Sequence, residues 1–141
     1  MEKYKIDEVA KESGLTKRTI RYYEEIGLLP PPERSEGGTR LYVRKHIVRL
    51  KQIVDARDVL GFSLQEIQAF VSIREELADH RDAYSQTVDL DKKRRQLQDM
   101  KIMVVKQMEM IDRKLEKMAE FRKEIDAIYK RVCDAIERTT P

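Results

Sequence analysis

The sequence has 141 residues, 40% hydrophobic and 39% charged, with no tryptophan, a balance that argues against a deep-pocketed enzyme and for long, solvent-exposed helices. No apolar run exceeds the four residues Ile102 to Val105, so no membrane span is expected, and the start MEKYKIDEVA lacks a signal-peptide core. A single cysteine, Cys133, allows neither an internal disulfide nor a multi-thiolate zinc site within one chain, and the expected location is the cytoplasm.

The net charge of +3 is unevenly spread. Residues 1–15 sum to −1, residues 52–75 to −2 and residues 76–141 to +1. Residues 16–51 carry nine basic against four acidic side chains and hold three of the six tyrosines. A local cationic stretch with interleaved tyrosines is the kind of surface that a phosphate backbone attracts.

Glycine and proline divide the chain at Gly14, Gly27 to Pro32, Gly37-Gly38 and Gly61; none follows until Pro141. Lys5 to Ser13 places Ile6, Val9 and Ala10 at helical spacing, and Gly14 ends that helix. Thr16 caps a second helix whose Leu15, Ile20 and Tyr23 face the first, the pattern of a helix-turn-helix. Burial of Ile20 and Tyr23 turns Lys17, Arg18, Arg21 and Tyr22 outward, as on a helix that reads the major groove. After the Gly27-Leu-Leu-Pro-Pro-Pro stop, Arg34-Ser-Glu-Gly-Gly-Thr-Arg-Leu-Tyr-Val43 predicts a β-hairpin wing carrying Arg34, Arg40 and Tyr42. Arg44 to Leu60 predicts an amphipathic helix, and Ser63-Leu-Gln-Glu66 is a capping box opening another.

Four of these motifs occur in a familiar order: Thr16-x-Arg-Thr-Ile-Arg-Tyr-Tyr-Glu24, Gly27-Leu-Leu, Thr39-Arg-Leu-Tyr42 and Leu60-Gly-Phe-Ser-Leu-x-Glu-Ile67. Over about residues 4–75 the chain resembles the amino-terminal domain of the MerR family of transcription regulators. The resemblance implies that Lys17, Arg18 and Thr19 lie along the major groove, and that Arg21, Tyr22 and Tyr23 hold phosphates or pack the helix. It implies further that Arg40 and Tyr42 belong to a first wing and the Leu60-Gly61-Phe62-Ser63 turn to a second. The sequence departs from the family three residues before Gly61, where Asp58 replaces a basic residue; Arg57 is the neighbouring candidate for that contact.

Leu90, Leu97, Val104, Ile111, Met118, Ile125 and Val132 recur every seven residues. A second series adds Met100, Met108, Leu115, Phe121, Ile128, Tyr129 and Ile136. This is a coiled-coil seam, which one chain cannot cover by itself. Lys92-Lys93-Arg94-Arg95 reads as a solvated face beside it, balanced by Asp89, Asp91 and Asp99.

The expected architecture is mainly α: a winged helix-turn-helix DNA-binding domain over 1–75, a linker over 76–88, and a dimerisation helix over 89–138, antiparallel to its mate as the resemblance implies. The expected partners are double-stranded DNA and a second copy of the chain, with RNA polymerase met indirectly at the promoter. The family further implies activation by distorting an over-long promoter spacer. No cofactor, metal, membrane or catalytic residue is expected, since His46 and His80 are isolated and no phosphate loop or nucleophile elbow occurs. A small-molecule effector and the choice between activator and repressor stay open, as does a rival role as a DNA-binding structural or adaptor protein.

Overall fold

In the computed structural model, which describes residues 2–141, the breaks at Gly14, Gly27 and Gly61 lie just beyond helix ends, and Gly37-Gly38 turns a hairpin. Helices α1 (Ile6–Ser13) and α2 (Lys17–Glu25) flank the turn at Gly14, whose φ of 74° lies in the left-handed region that favours glycine. The Thr16 hydroxyl oxygen accepts the Thr19 N–H at 3.1 Å, satisfying one of the free donors at the start of α2. Beyond Gly27, the Leu28 and Leu29 amides both donate to the Tyr23 carbonyl, and both leucine side chains are buried.

Strands β1 (Glu33–Arg34) and β2 (Arg40–Leu41) form the expected hairpin, antiparallel, with Glu33 opposite Leu41 and Arg34 opposite Arg40. The wing extends one step further than the sequence suggested. Tyr4 and Tyr42 exchange two backbone hydrogen bonds of 2.8 Å, so the segment ahead of α1 forms a bridge to the strand carrying Arg40.

Helix α3 (Arg44–Asp58) buries Ile47, Leu50, Ile53 and Ala56 at 3- and 4-residue spacing against α1 and the rest of the core. Helix α4 (Leu64–Gln86) opens on the expected capping box: Ser63 N–H donates to Glu66 Oε1 at 2.9 Å, and Glu66 N–H to Ser63 Oγ at 3.3 Å. Its Ile67, Phe70 and Val71 complete the core. Arg49 ties this assembly together: its guanidinium donates to the carbonyls of Leu28 and Val71 and pairs with Glu75 at 2.6 Å.

The chain divides into two compact units, Met1–Asp79 and His80–Pro141, with the boundary inside α4. The break between helices is shorter than the linker expected over 76–88. Helix persists to Gln86 because no Gly or Pro interrupts it, and only Thr87 to Asp89 leave helical geometry. In the second unit the Thr87 hydroxyl donates to the Ala83 carbonyl, and Asp89 Oδ1 accepts the Asp91 N–H at 3.0 Å as cap of α5 (Leu90–Thr139). At about 1.5 Å per residue, this 50-residue helix is about 75 Å long. None of its residues is buried. Lys93, Gln96, Met100, Met103, Gln107 and Met110 form a half-buried stripe, while most of the seven-residue seam is exposed: Leu90, Leu97, Val104, Met108, Leu115, Met118, Ile125 and Val132. Ile111, where the two stripes meet, is half-buried.

Candidate nucleic-acid interface

Packing of Ile20 and Tyr23 into the core fixes which side of α2 meets solvent. Lys17, Arg18, Arg21 and Tyr22 are exposed, as the spacing required. Lys17 is paired with Asp7 of α1. Arg18 and Arg21 have no ion pair among the described residues, so their full charge is offered outward. Thr19 is half-buried, with its hydroxyl 2.9 Å from that of Thr16, which makes it part of the cap.

The wing adds two cations. Arg34 is exposed, and its Nη1 donates to the Gly38 carbonyl at 3.0 Å, stiffening the turn from which it projects. Arg40 is 30% exposed, and its Nε lies 3.1 Å from Glu24 Oε2 at the end of α2. Together α2 and the wing line a groove of about 360 Å³ with Arg21, Arg34 and Arg40 on it, alongside Glu24 and Glu25.

Three expected contact residues sit differently. Tyr42 is completely buried, with its ring edge-on to His46 at a centroid distance of 5.4 Å. It serves the core rather than the surface, because its place on the wing turns its side chain beneath the hairpin. Tyr23 is also buried, its hydroxyl accepting from Arg57 Nη1 at 3.3 Å and its ring tilted against that of Tyr22. Arg57 is occupied: Asp58 takes its Nε at 2.7 Å and its Nη2 at 3.2 Å, a two-pronged grip. That carboxylate, with Tyr23 adding to it, holds the guanidinium above its ordinary range, and Arg57 in turn holds the Asp58 carboxyl below its own. Asp58 thus neutralises the neighbouring cation, at the end of α3, that the sequence offered as a contact.

Two residues in this region carried a faint signal or none. Glu24 falls four residues after Ile20, on the buried stripe of α2, and a carboxylate there calls for a cationic partner. Nothing local announces Arg49, whose partners lie 21 to 26 residues away.

Two helices around a glycine turn, an exposed cationic face on the second, and a hairpin with further arginines beside it define a winged helix-turn-helix DNA-binding module. The family of MerR HTH regulatory proteins matches residues 4–72. The HTH-type transcriptional regulator YfmP of Bacillus subtilis (strain 168) is 39% identical over 137 residues, covering 97% of this chain and 98% of that protein. The mercuric resistance operon regulatory protein of Bacillus cereus is 40% identical over 102 residues, covering 70% of this chain and 76% of its own. Among solved structures, the transcription regulator PbrR691 from Ralstonia metallidurans CH34, in complex with lead(II), is 25% identical with a TM-score of 0.59, covering 97% of this chain and 87% of that one. The chain belongs to the MerR HTH family and is a DNA-binding transcriptional regulator.

Proposed function

We propose that the protein works as a homodimer, zipped through α5, that places two α2 helices in successive major grooves of a pseudo-palindromic promoter operator. The carrying observation is the apolar seam of α5, exposed at every position but the half-buried Ile111, from Leu90 at 80% exposure through Val104 and Met118 to Val132. A 50-residue helix with this stripe unburied gains its stability by pairing, and the seven-residue repeat favours a helical mate. A two-fold pair matches half-sites about one or two helical turns apart. Antiparallel pairing sets the two heads apart, in keeping with that symmetry.

Arg18 and Arg21 on α2, with Arg34 and Arg40 on the wing, supply phosphate contacts and hence the salt-dependent part of affinity. Lys17 and Tyr22, at the exposed start and middle of α2, are the side chains placed to reach base edges. Activation follows if the bound dimer stabilises an untwisted or bent spacer and so brings promoter elements into register for RNA polymerase; the protein's binding energy offsets the DNA deformation. The same dimer on an operator that needs no distortion acts as a repressor. A small-molecule effector would act by favouring one of the two DNA states.

The test is footprinting of the purified protein on DNA upstream of its own gene, joined to a map of spacer length. One protected palindrome inside a promoter is the expected result. Many dispersed protected sites would instead make it an architectural DNA-binding protein.

A further inference from the structure

Glu24 presents a paradox of charge. It stands beside the arginine-lined groove between α2 and the wing, where its negative charge opposes an incoming phosphate. Its side chain is only 9% exposed, and its Oε2 is 3.1 Å from Arg40 Nε. Both atoms are buried without an aligned hydrogen bond, so the contact is an ion pair. Two residues beyond Arg40, the Tyr42 hydroxyl is buried without an aligned hydrogen bond of its own. Burial first, and the charge of Glu24 second, push that phenol up to about 12, so it stays neutral beside the carboxylate.

Three polar groups from two elements therefore converge beneath the groove: a carboxylate from α2, and a cation and a phenol from the wing. Each strand is two residues long, and the bridge to Tyr4 and the Lys3–Glu33 pair tie the hairpin to the segment ahead of α1 rather than to α2. Arg40 has no other ion pair among the described residues, which leaves the outer end of its guanidinium for a further anion. Arg21, one turn before Glu24 on α2, lines the same groove.

We propose that Glu24 is a positioning residue for DNA binding: it anchors β2 to the last turn of α2, so that Arg40 and Arg21 flank one groove as a shared seat for a backbone phosphate. This rests on the reading of α2 and the wing as the DNA-facing surface. It makes a prediction opposite in sign to simple electrostatics. Removing a negative charge beside a phosphate seat should tighten DNA binding, whereas removing an anchor should weaken it.

The experiment is a fluorescence-anisotropy titration of a labelled mixed-sequence duplex over a salt series, with Glu24→Gln, Arg40→Ala, the double variant and Arg21→Ala. Gln keeps the shape of the side chain and removes its charge. The expected result is a roughly tenfold loss of affinity for Glu24→Gln, with the slope of log affinity against log salt reduced by about one per engaged subunit. In the Arg40→Ala background the Gln substitution is expected to change nothing further, because its effect runs through Arg40. Equal or tighter binding by Glu24→Gln, or losses that simply add, would overturn the assignment. If Arg40→Ala and Arg21→Ala both leave affinity unchanged, the DNA-facing surface itself is misplaced; if they weaken binding and Glu24→Gln does not, only the anchoring role fails. Should the Gln variant lose helical circular dichroism, the same cycle runs with Glu24→Asp, which keeps the charge and shortens its reach. A loss coupled to Arg40 then supports the role, and an additive loss overturns it.

Discussion

Between Tyr4 and Val71 the chain buries sixteen apolar side chains, whereas between Leu90 and Thr139 it buries none. Both stretches contain apolar residues at helical spacing, so the difference lies in what faces them. In the head, six elements turn back on one another at glycines and a proline stop, and each helix finds a neighbour for its stripe. In the arm there is one uninterrupted helix, and its seam faces outward. The head's stability is thus a property of one chain, while in the homodimer proposed above the arm's is a property of a pair and depends on concentration.

The sharpest way to break this contrast is to place charge in the seam. Val104→Asp combined with Ile111→Asp is expected to convert a dimer to monomer in sedimentation equilibrium and to abolish tight operator binding, because the two heads no longer act together. An intact dimer would show that the seam lies elsewhere. Next comes truncation in each region. Ile20→Ala, at a fully buried position of α2, should cost the head about 2–5 kcal/mol in urea unfolding. Val132→Ala, introduced into the monomeric Asp variant, should leave its melt almost unmoved, since nothing in one chain covers Val132.

Charge gives a smaller effect. Arg21→Ala is expected to weaken binding to all DNA sequences roughly tenfold and to flatten the salt dependence, while Lys92→Ala on the arm should do neither, as read by gel shift. Helix caps are smaller again. Thr16→Ala should destabilise the head by about 1 kcal/mol, and a comparable thermal loss from Asp89→Ala in the monomeric variant would contradict the weak self-sufficiency of the arm.

The smallest expected effect concerns pH and is confined to the head. His46 Nδ1 accepts the Val43 N–H at 3.0 Å, and burial holds its pKa below the ordinary 6.5, against the opposing pull of the Pro30 carbonyl and the Glu24 charge. The folded head therefore favours neutral His46. Its contribution to stability is complete above pH 6.5 and declines as pH falls below that value toward the lowered one, because the unfolded chain takes up the proton first. Thermal melts of His46→Gln should show a shallower decline over that interval than wild type.

Much of this contrast could be read from the residues. Gly14, Thr16 and the Ile20–Tyr23 pair fixed the helix-turn-helix, Gly37-Gly38 fixed the hairpin, and Ser63 with Glu66 fixed the start of α4, because turn and cap chemistry is local. The heptads announced the arm for the same reason. Local pattern could not say that Tyr42 turns inward, since alternate residues of a two-residue strand leave no period to read. Nor could it show that Asp58 disarms Arg57, because whether adjacent charges embrace or diverge depends on the turn they occupy. The short break before α5 has a similar origin: Asp82, Ser85 and Thr87 are residues that favour a turn, yet Ser85 inside α4 and Thr87 just past its end direct their hydroxyls back to the carbonyls of Asp82 and Ala83.

The bridge between Tyr4 and Tyr42 has a practical side. Lys3 also pairs with Glu33 at 2.8 Å, and Arg44 of α3 reaches the Tyr4 hydroxyl at 2.9 Å, so the leading residues are sewn to the wing at two points and to the start of α3 at a third. An affinity tag or fluorescent fusion joined ahead of them would emerge alongside the wing proposed above to meet the duplex. Purification handles for this regulator belong after Pro141, and any tag at the front should be cleaved before binding is measured.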